Sequence, residues 1–283
     1  MSRVLARLVL HPLSQSYPQG FAVAPACSSL AAQGCSSRAA TQKDDLGSSR
    51  TECGGRRAQP PPSRRSKRTR AWQLVADGMA EGLGATIVQA GSTVLREEAD
   101  DVPASMLGTQ ELKDLVQTMV DTMRAAPGVG LAAPQIGIPL KVIVLEDRPE
   151  YIALLQDGLA EQQQRQPFET LVIVNPRLSA LTNQGARFFE GCLSVPGYQA
   201  LVERYTSVEV TGVTPEGLPL KLTANGWQAR ILQHECDHLH GCLYVDRMLS
   251  RSFSARGGGS RLPDDVPRPG QPCTCCHHVD AAA

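Results

Sequence analysis

The sequence predicts an α+β fold for the part of the chain between residues 72 and 255. Short β-rich runs follow one another there, each bounded by Pro, Gly, Asn or Asp, as is typical of strands. Two helical patterns flank these runs and do not alternate with them, which favours α+β over repeated βαβ units. The chain has 283 residues, of which 42% are hydrophobic, and this is enough for one sizeable core.

The first helical pattern lies within residues 102–128. Apolar side chains recur at steps of three and four residues and form one face; they are Leu112, Leu115, Val116, Met119, Val120 and Met123. Thr109 is a suitable N-cap, and Pro127-Gly128 is a stop signal. We expect this helix to pack its Met residues into the core.

The strands and the second helix follow this first pattern. Five β-rich runs are predicted as strands, at residues 141–146, 171–175, 187–189, 206–213 and 218–223. The segment from 147 to 170 is rich in Gln and charge, and we interpret it as a partly helical surface insertion. A second helical pattern covers residues 225–241.

Two flanking segments are predicted to lie outside this folded part, residues 72–255. Residues 1–70 carry 12 Lys and Arg against 3 Asp and Glu, and they begin with a basic amphipathic stretch, MSRVLARLVLH. This pattern is typical of an organellar transit peptide, with a disordered basic tail as the alternative. Residues 256–283, which end in CTCCHH before the last five residues, are predicted to be a disordered C-terminal tail.

Composition excludes several classes of protein. Residues 71–283 carry 16 Lys and Arg against 25 Asp and Glu, so the body lacks the clustered positive charge that direct nucleic-acid binding needs. No apolar run approaches the roughly 20 residues that span a bilayer, so no membrane protein is expected. The nine cysteines are odd in number and scattered, which favours free thiols in a reducing compartment.

The strongest site signal is the segment 233–238, QHECDH. Two His residues four positions apart on a helix lie on one face and reach one cation, while the Glu between them faces the water that such an ion activates. The alternative is a solvated helix face with incidental histidines. The preceding turn, residues 227–232, is largely apolar, so we expect the helix to be partly buried.

A catalytic metal site usually has a third protein ligand and one open position. His240 lies on another side of the helix, and Cys242 follows the helix end that Gly241 marks. The better candidate is Cys192 in the segment EGCLS, because a thiolate is a strong ligand for a borderline-soft ion. A buried cysteine with only a packing role is the alternative.

A third segment, GVGLAAPQ at residues 128–135, combines small residues with an amide. Its glycines permit a ligand to approach the backbone closely. The amide of Gln135 can donate to a developing oxyanion. A tight helix-to-strand turn is the alternative interpretation.

Together and in this order, GVGLAAPQ, EGCLS and QHECDHLHG resemble the three signature motifs of peptide deformylases. The resemblance covers residues 85–250 and is greatest to the eukaryotic organellar type 1A. It implies an α+β fold with small mixed or antiparallel sheets packed around a central metal-binding HExxH helix. It also implies hydrolysis of the formyl group from the N-terminal formylmethionine of newly made polypeptides in the mitochondrion, the chloroplast or both.

The resemblance also implies a role for each matching position. The implied metal ligands are Cys192, His234 and His238. The implied catalytic groups are Glu235 as general base, and Gln135 with the backbone N–H of Leu193 as the oxyanion hole. The residues expected to pair with the substrate backbone, as a strand added to a sheet edge, are Val129, Gly130 and Gly191. Glu190 and Arg204 fall where the family has an ion pair that supports the cysteine loop.

The resemblance implies one divalent ion per chain, Zn²⁺ or Fe²⁺, with nascent N-formylmethionyl polypeptides as substrates. Association with the ribosome and a homodimer are further expectations. We expect apolar residues of the segment 227–232 to line the methionine pocket, and Asp237 either to orient a ligand or to be an ordinary surface acid. Three alternatives stay open: metal binding by the tail CTCCHH, a general HExxH endopeptidase, and a non-catalytic zinc module.

Overall fold

The computed structural model describes residues 85–256 and 268–270, together with the backbone of residues 272–273. The predicted transit peptide and most of the predicted tail therefore lie outside the described residues. Within the described ranges, no helix has both the length and the apolar character needed to cross a bilayer.

Helix α1 spans Gln110–Ala125, inside the predicted range. Thr109 caps it, because its side-chain oxygen accepts a hydrogen bond from the backbone N–H of Leu112 at 3.4 Å. The predicted apolar face is buried, including Leu112, Met119 and Met123, each at 0% exposure. Residues before Thr109 do not continue the helix and instead form a short 3₁₀ turn at Ala104–Met106.

The larger sheet has five antiparallel strands in the order β1-β2-β3-β6-β7. Their ranges are Gly130–Ala132 for β1, Val142–Asp147 for β2, Phe168–Ala180 for β3, Ser207–Val213 for β6 and Pro219–Asn225 for β7. Strand β2 is buried along its whole length. Val142 and Val144 pack in one cluster with α1, and Ile143 and Leu145 pack in another cluster on the opposite face.

The segment between β2 and β3 contains two short helices, α2 at Pro149–Ile152 and α3 at Leu159–Gln162. The prediction of a partly helical insertion is thus confirmed, although its last residues already belong to β3. Arg165, beyond α3, is only 8% exposed and forms an ion pair with the buried Asp147, with Nε to Oδ2 at 2.7 Å. The insertion is therefore attached to the sheet by a buried charge pair.

The second sheet has four strands in the order β8-β5-β4-β9. They are Gly185–Cys192 for β4, Val195–Tyr205 for β5, Ser254–Ala255 for β8 and Pro272–Cys273 for β9. The sequence did not predict β5, which pairs with β4 along most of its length. Strand β9 pairs with Gly185 and Ala186 of β4. The backbone of Pro272 and Cys273 is therefore ordered, although the tail was expected to be disordered.

Helix α4 spans Gly226–Leu239, within the predicted range 225–241. Ile231, Leu232 and Leu239 pack against the face of the five-stranded sheet that α1 does not cover. The helix also contacts β5 of the second sheet. Because both sheets adjoin α4, polar groups on this helix are removed from solvent. Helix α5, at Tyr244–Arg247, follows and completes the described helices.

Candidate active site

The described residues contain one cluster whose ligand atoms are close enough to share a metal ion. It consists of Cys192 at the end of β4 and of His234 and His238, one turn apart on α4. Their ligand atoms all lie within 4.8 Å of one another, and Sγ of Cys192 is 3.3 Å from Nε2 of His238. The structure thus brings together the three residues that the sequence suggested from positions far apart in the chain.

The donor set fits a divalent transition metal. Ligands bonded at about 2.0–2.3 Å to one tetrahedral ion lie roughly 3.5 Å apart. This is close to the 3.3 Å between Sγ of Cys192 and Nε2 of His238. One thiolate and two imidazoles suit a borderline ion such as Zn²⁺ or Fe²⁺. The other thiols and imidazole of this region, those of Cys236, His240 and Cys242, are not part of the cluster. The set therefore offers three candidate ligands, which is the number that catalytic metal sites usually have.

Glu190 holds the ring of His234 in place. Its Oε2 is 3.0 Å from Nδ1 of His234, which leaves the Nε2 side of the ring for the cluster. Arg204 donates to both carboxylate oxygens of Glu190, at 3.0 and 2.9 Å, and Arg230 donates to Oε1 at 2.6 Å. Burial alone would raise the pKa of Glu190, but Arg204, His234 and Arg230 outweigh it and hold the pKa well below its usual range.

This ion network continues to Asp237. Arg204 also donates to Oδ2 of Asp237 at 2.6 Å, and Arg247 of α5 donates to both oxygens of the same carboxylate at 2.8 and 2.9 Å. Among the described residues, the hydrogen bonds of the Asp237 carboxylate go to these two arginines and not to the ring of His234 or His238. It holds Arg204, which in turn holds Glu190, so its effect on His234 passes through two other side chains.

Glu235 lies against the backbone of β1. A Cβ atom at Gly130 would be 2.8 Å from Cδ of Glu235, so the carboxylate occupies the space that only a glycine leaves open. The residue is 3% exposed, and its Oε2 has no hydrogen-bond partner among the described residues. Burial raises the pKa of Glu235 to about 7. An unpartnered carboxylate oxygen beside the cluster is placed to exchange a proton with a group bound there.

Gln135 is fixed with its amide nitrogen toward the cluster. It lies in a 3₁₀ turn, Ala133–Ile136, directly after β1. Its Oε1 accepts a hydrogen bond from the backbone N–H of Ala132 at 2.8 Å, so Nε2 must point the other way. Nε2 lies 3.4 Å from Sγ of Cys192 and 3.4 Å from Oγ of Ser194. The donor is thus held in place before any substrate arrives.

A cavity of about 250 Å³ opens beside the cluster. Its lining contains every other residue predicted to bind substrate, namely Val129, Gly130, Gly191 and Leu193. The backbone of Val129 is held in place, since its carbonyl accepts from the N–H of Glu146 at 3.0 Å. The sites predicted from three separate motifs therefore meet around one cavity.

The sequence reasoning missed the arginines of this cavity. Arg165, Arg230 and Arg256 all line it. Arg230 interrupts the segment 227–232 that was expected to be an apolar wall; only Trp227 and Ile231 line the cavity as expected. A cation inside a largely apolar helical run signals a buried ion pair, but the sequence alone does not show that Glu190 is its partner.

A family model described as polypeptide deformylase matches residues 85–253 of this chain. The chain is 55% identical to peptide deformylase 1A, chloroplastic, of Solanum lycopersicum over 167 residues, which are 59% of this chain and 60% of that protein. It is 52% identical to the chloroplastic/mitochondrial form of Arabidopsis thaliana, with 59% and 62% covered. The match spans about three fifths of the length of both plant relatives.

Two further relatives are similar over more of their own length. The mitochondrial peptide deformylase of Homo sapiens is 38% identical over 257 residues, which are 90% of this chain and 96% of that protein. A crystal structure of a class I type b peptide deformylase from Acinetobacter baumannii, with Met-Ala-Ser bound, has a TM-score of 0.53 and 33% identity. The alignment covers 59% of this chain and 99% of the Acinetobacter baumannii chain.

Proposed function

The chain belongs to the polypeptide deformylase family, and we propose that it removes the formyl group from the N-terminal formylmethionine of newly made organellar polypeptides. One observation carries this proposal: Cys192, His234, Glu235 and Gln135 line one cavity, and His238 completes the cluster with Cys192 and His234. The chloroplastic and mitochondrial relatives support a location in one or both of these organelles. Reducing conditions there would keep the thiol of Cys192 available as a ligand.

We propose that Cys192, His234 and His238 hold one divalent ion, Zn²⁺ or Fe²⁺, and that α4 is the metal-binding helix at the centre of the fold. When bound, such an ion lowers the pKa of water and polarises a carbonyl oxygen. The packing of α4 against the five-stranded sheet and its contact with β5 of the second sheet support this role for α4. Glu190 accepts hydrogen bonds from Arg204 and Arg230, and in this proposal it orients His234 toward the metal ion.

We assign the transfer of the water proton to Glu235. In this proposal its carboxylate takes a proton from the attacking water and later gives it to the departing α-amine of methionine. The unpartnered Oε2 beside the cavity supports this role. Gly130 supports it too, because any larger residue there would push the carboxylate from its position.

Charge that develops on the formyl oxygen is met by fixed donors. We assign these donors as Nε2 of Gln135 and the backbone N–H of Leu193. Gln135 needs no reorientation, because the hydrogen bond from Ala132 already sets its amide. Val129, Gly130 and Gly191 would pair with the substrate backbone and align the formyl group with these donors.

The test is an anaerobic assay of the full chain, reconstituted separately with Zn²⁺ and Fe²⁺, on formyl-Met-Ala-Ser. We expect release of formate from this peptide and no cleavage of casein. A general endopeptidase would give the reverse result, and a non-catalytic zinc module would give neither product. Comparing the two ions identifies the more active one.

Sedimentation of the same sample tests the proposed homodimer, and co-sedimentation with organellar ribosomes tests the proposed ribosome association.

A further inference from the structure

Three guanidinium groups line the cavity, and two of them are committed to acidic partners. Arg165 binds Asp147, with Nε to Oδ2 at 2.7 Å and Nη2 to Oδ1 at 2.9 Å. Arg230 binds Oε1 of Glu190 at 2.6 Å. The third, Arg256, is exposed and has no acidic partner among the described residues. It is therefore the cavity arginine that is left to bind an anion from outside the chain.

Backbone contacts place Arg256 at the cavity mouth. Strand β8 pairs with Tyr198 and Gln199 of β5, and the N–H of Arg256 donates to the carbonyl of Gly197 at 2.9 Å. The side chain then lies over the α-carbon of Gly191: a Cβ atom at Gly191 would be 2.6 Å from Cζ of Arg256. The guanidinium thus covers the one residue that separates Glu190 from the ligand Cys192.

The proposed substrate must pass this guanidinium. Gly191 is one of the residues assigned above to pair with the substrate backbone, and the proposed binding mode would put the formyl group near the neighbouring Cys192. An extended peptide advances by about 3.3 Å per residue, so the second and third residues of the substrate are the ones nearest Arg256. Their side chains are the substrate groups that this guanidinium can meet.

We propose that Arg256 is a specificity-determining residue that binds the carboxylate of an acidic side chain at the second or third residue of the formylated polypeptide. This inference rests on the proposed function. A guanidinium presents donors in a planar fork that matches a carboxylate, and it stays charged at every working pH. A pair at a solvated mouth is weak, so the preference is modest, about threefold to fivefold, and salt reduces it.

The experiment uses the metal-reconstituted full chain and peptides with an amidated C-terminus, which removes the terminal carboxylate. The peptides are formyl-Met-Ala-Ala-Ala and its variants with Asp or Lys at position two or three. Wild type, Arg256→Gln, Arg256→Lys and Arg256→Glu are compared by kcat/KM at low and high salt. Arg177→Gln is the matched control, because it removes the same charge from an exposed position on β3 that does not line the cavity.

We expect wild type to prefer Asp over Lys by about threefold to fivefold at low salt, through KM and not kcat. Arg256→Gln should abolish the preference, Arg256→Glu should reverse it, and Arg256→Lys should restore part of it. Arg177→Gln should leave unchanged both this preference and the turnover of the neutral peptide.

Two results would overturn the inference while the proposed function stands. The first is a ratio of kcat/KM between the Asp and Lys peptides that Arg256→Gln does not change. The second is an equal gain in kcat/KM on all peptides, which would mean that the side chain only covers the cavity. Absence of turnover of any formylated peptide by wild type would instead overturn the proposed function.

Discussion

Glu235 is the side chain whose removal most directly separates proton transfer from metal binding. It is not one of the three clustered residues that could hold a metal ion, and its Oε2 has no partner among the residues that the structure describes. We therefore expect Glu235→Gln to keep one ion per chain while turnover of formyl-Met-Ala-Ser falls at least about a hundredfold. Metal analysis beside a formate assay measures both quantities. His240→Asn, on an exposed residue just past α4, is the control and should change neither. Loss of the ion from Glu235→Gln would mean that this carboxylate is a ligand.

Arg230 offers a second test at the scale of single residues. Its bond to Glu190 helps to fix the carboxylate that orients His234, and it also donates to the carbonyls of Val202 and Ala186. We expect Arg230→Met to weaken metal binding by about 10- to 100-fold, as loss of a residue that orients a ligand typically does. Arg230→Lys should recover part of the affinity. Competition with a chelator measures it, and circular dichroism shows whether the fold persists.

Arg165→Met is the matched control for Arg230. It also removes a buried guanidinium of the cavity, but its partner is Asp147 and not Glu190. It should leave metal affinity near that of wild type. Equal losses from the two substitutions would show that Arg230 acts through general packing and not through Glu190.

Among the elements, both long helices could be predicted from the sequence, because their apolar periodicity is local. The exposed half of α1 is polar and its buried half apolar, so residues 110–125 carry the pattern by themselves. Strand β5 could not be predicted in the same way. It begins with Val195-Pro196-Gly197, which is typical of a turn, and it buries Arg204. That burial depends on Glu190 and Asp237, which are distant in sequence.

The junction between α1, β2 and β3 carries a pH dependence of stability. Burial alone would raise the pKa of Glu146, but hydrogen bonds from Arg148, Arg124 and Thr170 outweigh it and lower the pKa to about 2. Because the folded-state pKa lies below the ordinary value of 4.5, this carboxylate stabilises the fold above pH 4.5. The contribution is lost as the pH falls from there toward 2.

Glu146→Gln tests this dependence. Arg124 and Arg148 keep 39% and 40% of their side-chain surface in solvent, which weakens the interaction, so we expect a loss of about 1–2 kcal/mol in unfolding free energy at pH 7. The difference from wild type should shrink toward zero as the pH falls from 4.5 to 2. Urea unfolding at several pH values measures it, with Glu161→Gln on α3 as an exposed control. A difference that stays constant with pH would contradict the assignment.

At the scale of the whole molecule, the site depends on how two sheets meet one helix. The sequence indicated the ligand types and their order, since HExxH on a helix and a cysteine after a strand carry recognisable chemistry. That Cys192 joins the two His residues was inferred from ligand chemistry and from the family resemblance, because no local pattern specifies which strand end approaches which helix. The same long-range packing brings Arg256, from beyond α5, next to Gly191. The residues that reasoning from sequence missed are the ones whose partners are remote.

We predict that the metal ion binds at the folded site and not at the CTCCHH segment, residues 273–278. We expect the full chain with Cys275→Ser, Cys276→Ser, His277→Asn and His278→Asn together to keep one ion per chain and full deformylation. Cys192→Ser should lose most of the bound metal and of the deformylation, because it removes a residue of the cluster.

Thermal unfolding gives a second measurement. An ion that binds only the folded state stabilises it by about 2.7 kcal/mol at a hundredfold excess over Kd. Adding metal should therefore raise the Tm of the tail variant and change that of Cys192→Ser little. Metal analysis after gel filtration and thermal unfolding measure these differences. Retention of the ion by Cys192→Ser and its loss from the tail variant would place the metal in the tail and remove the basis of the proposed hydrolysis.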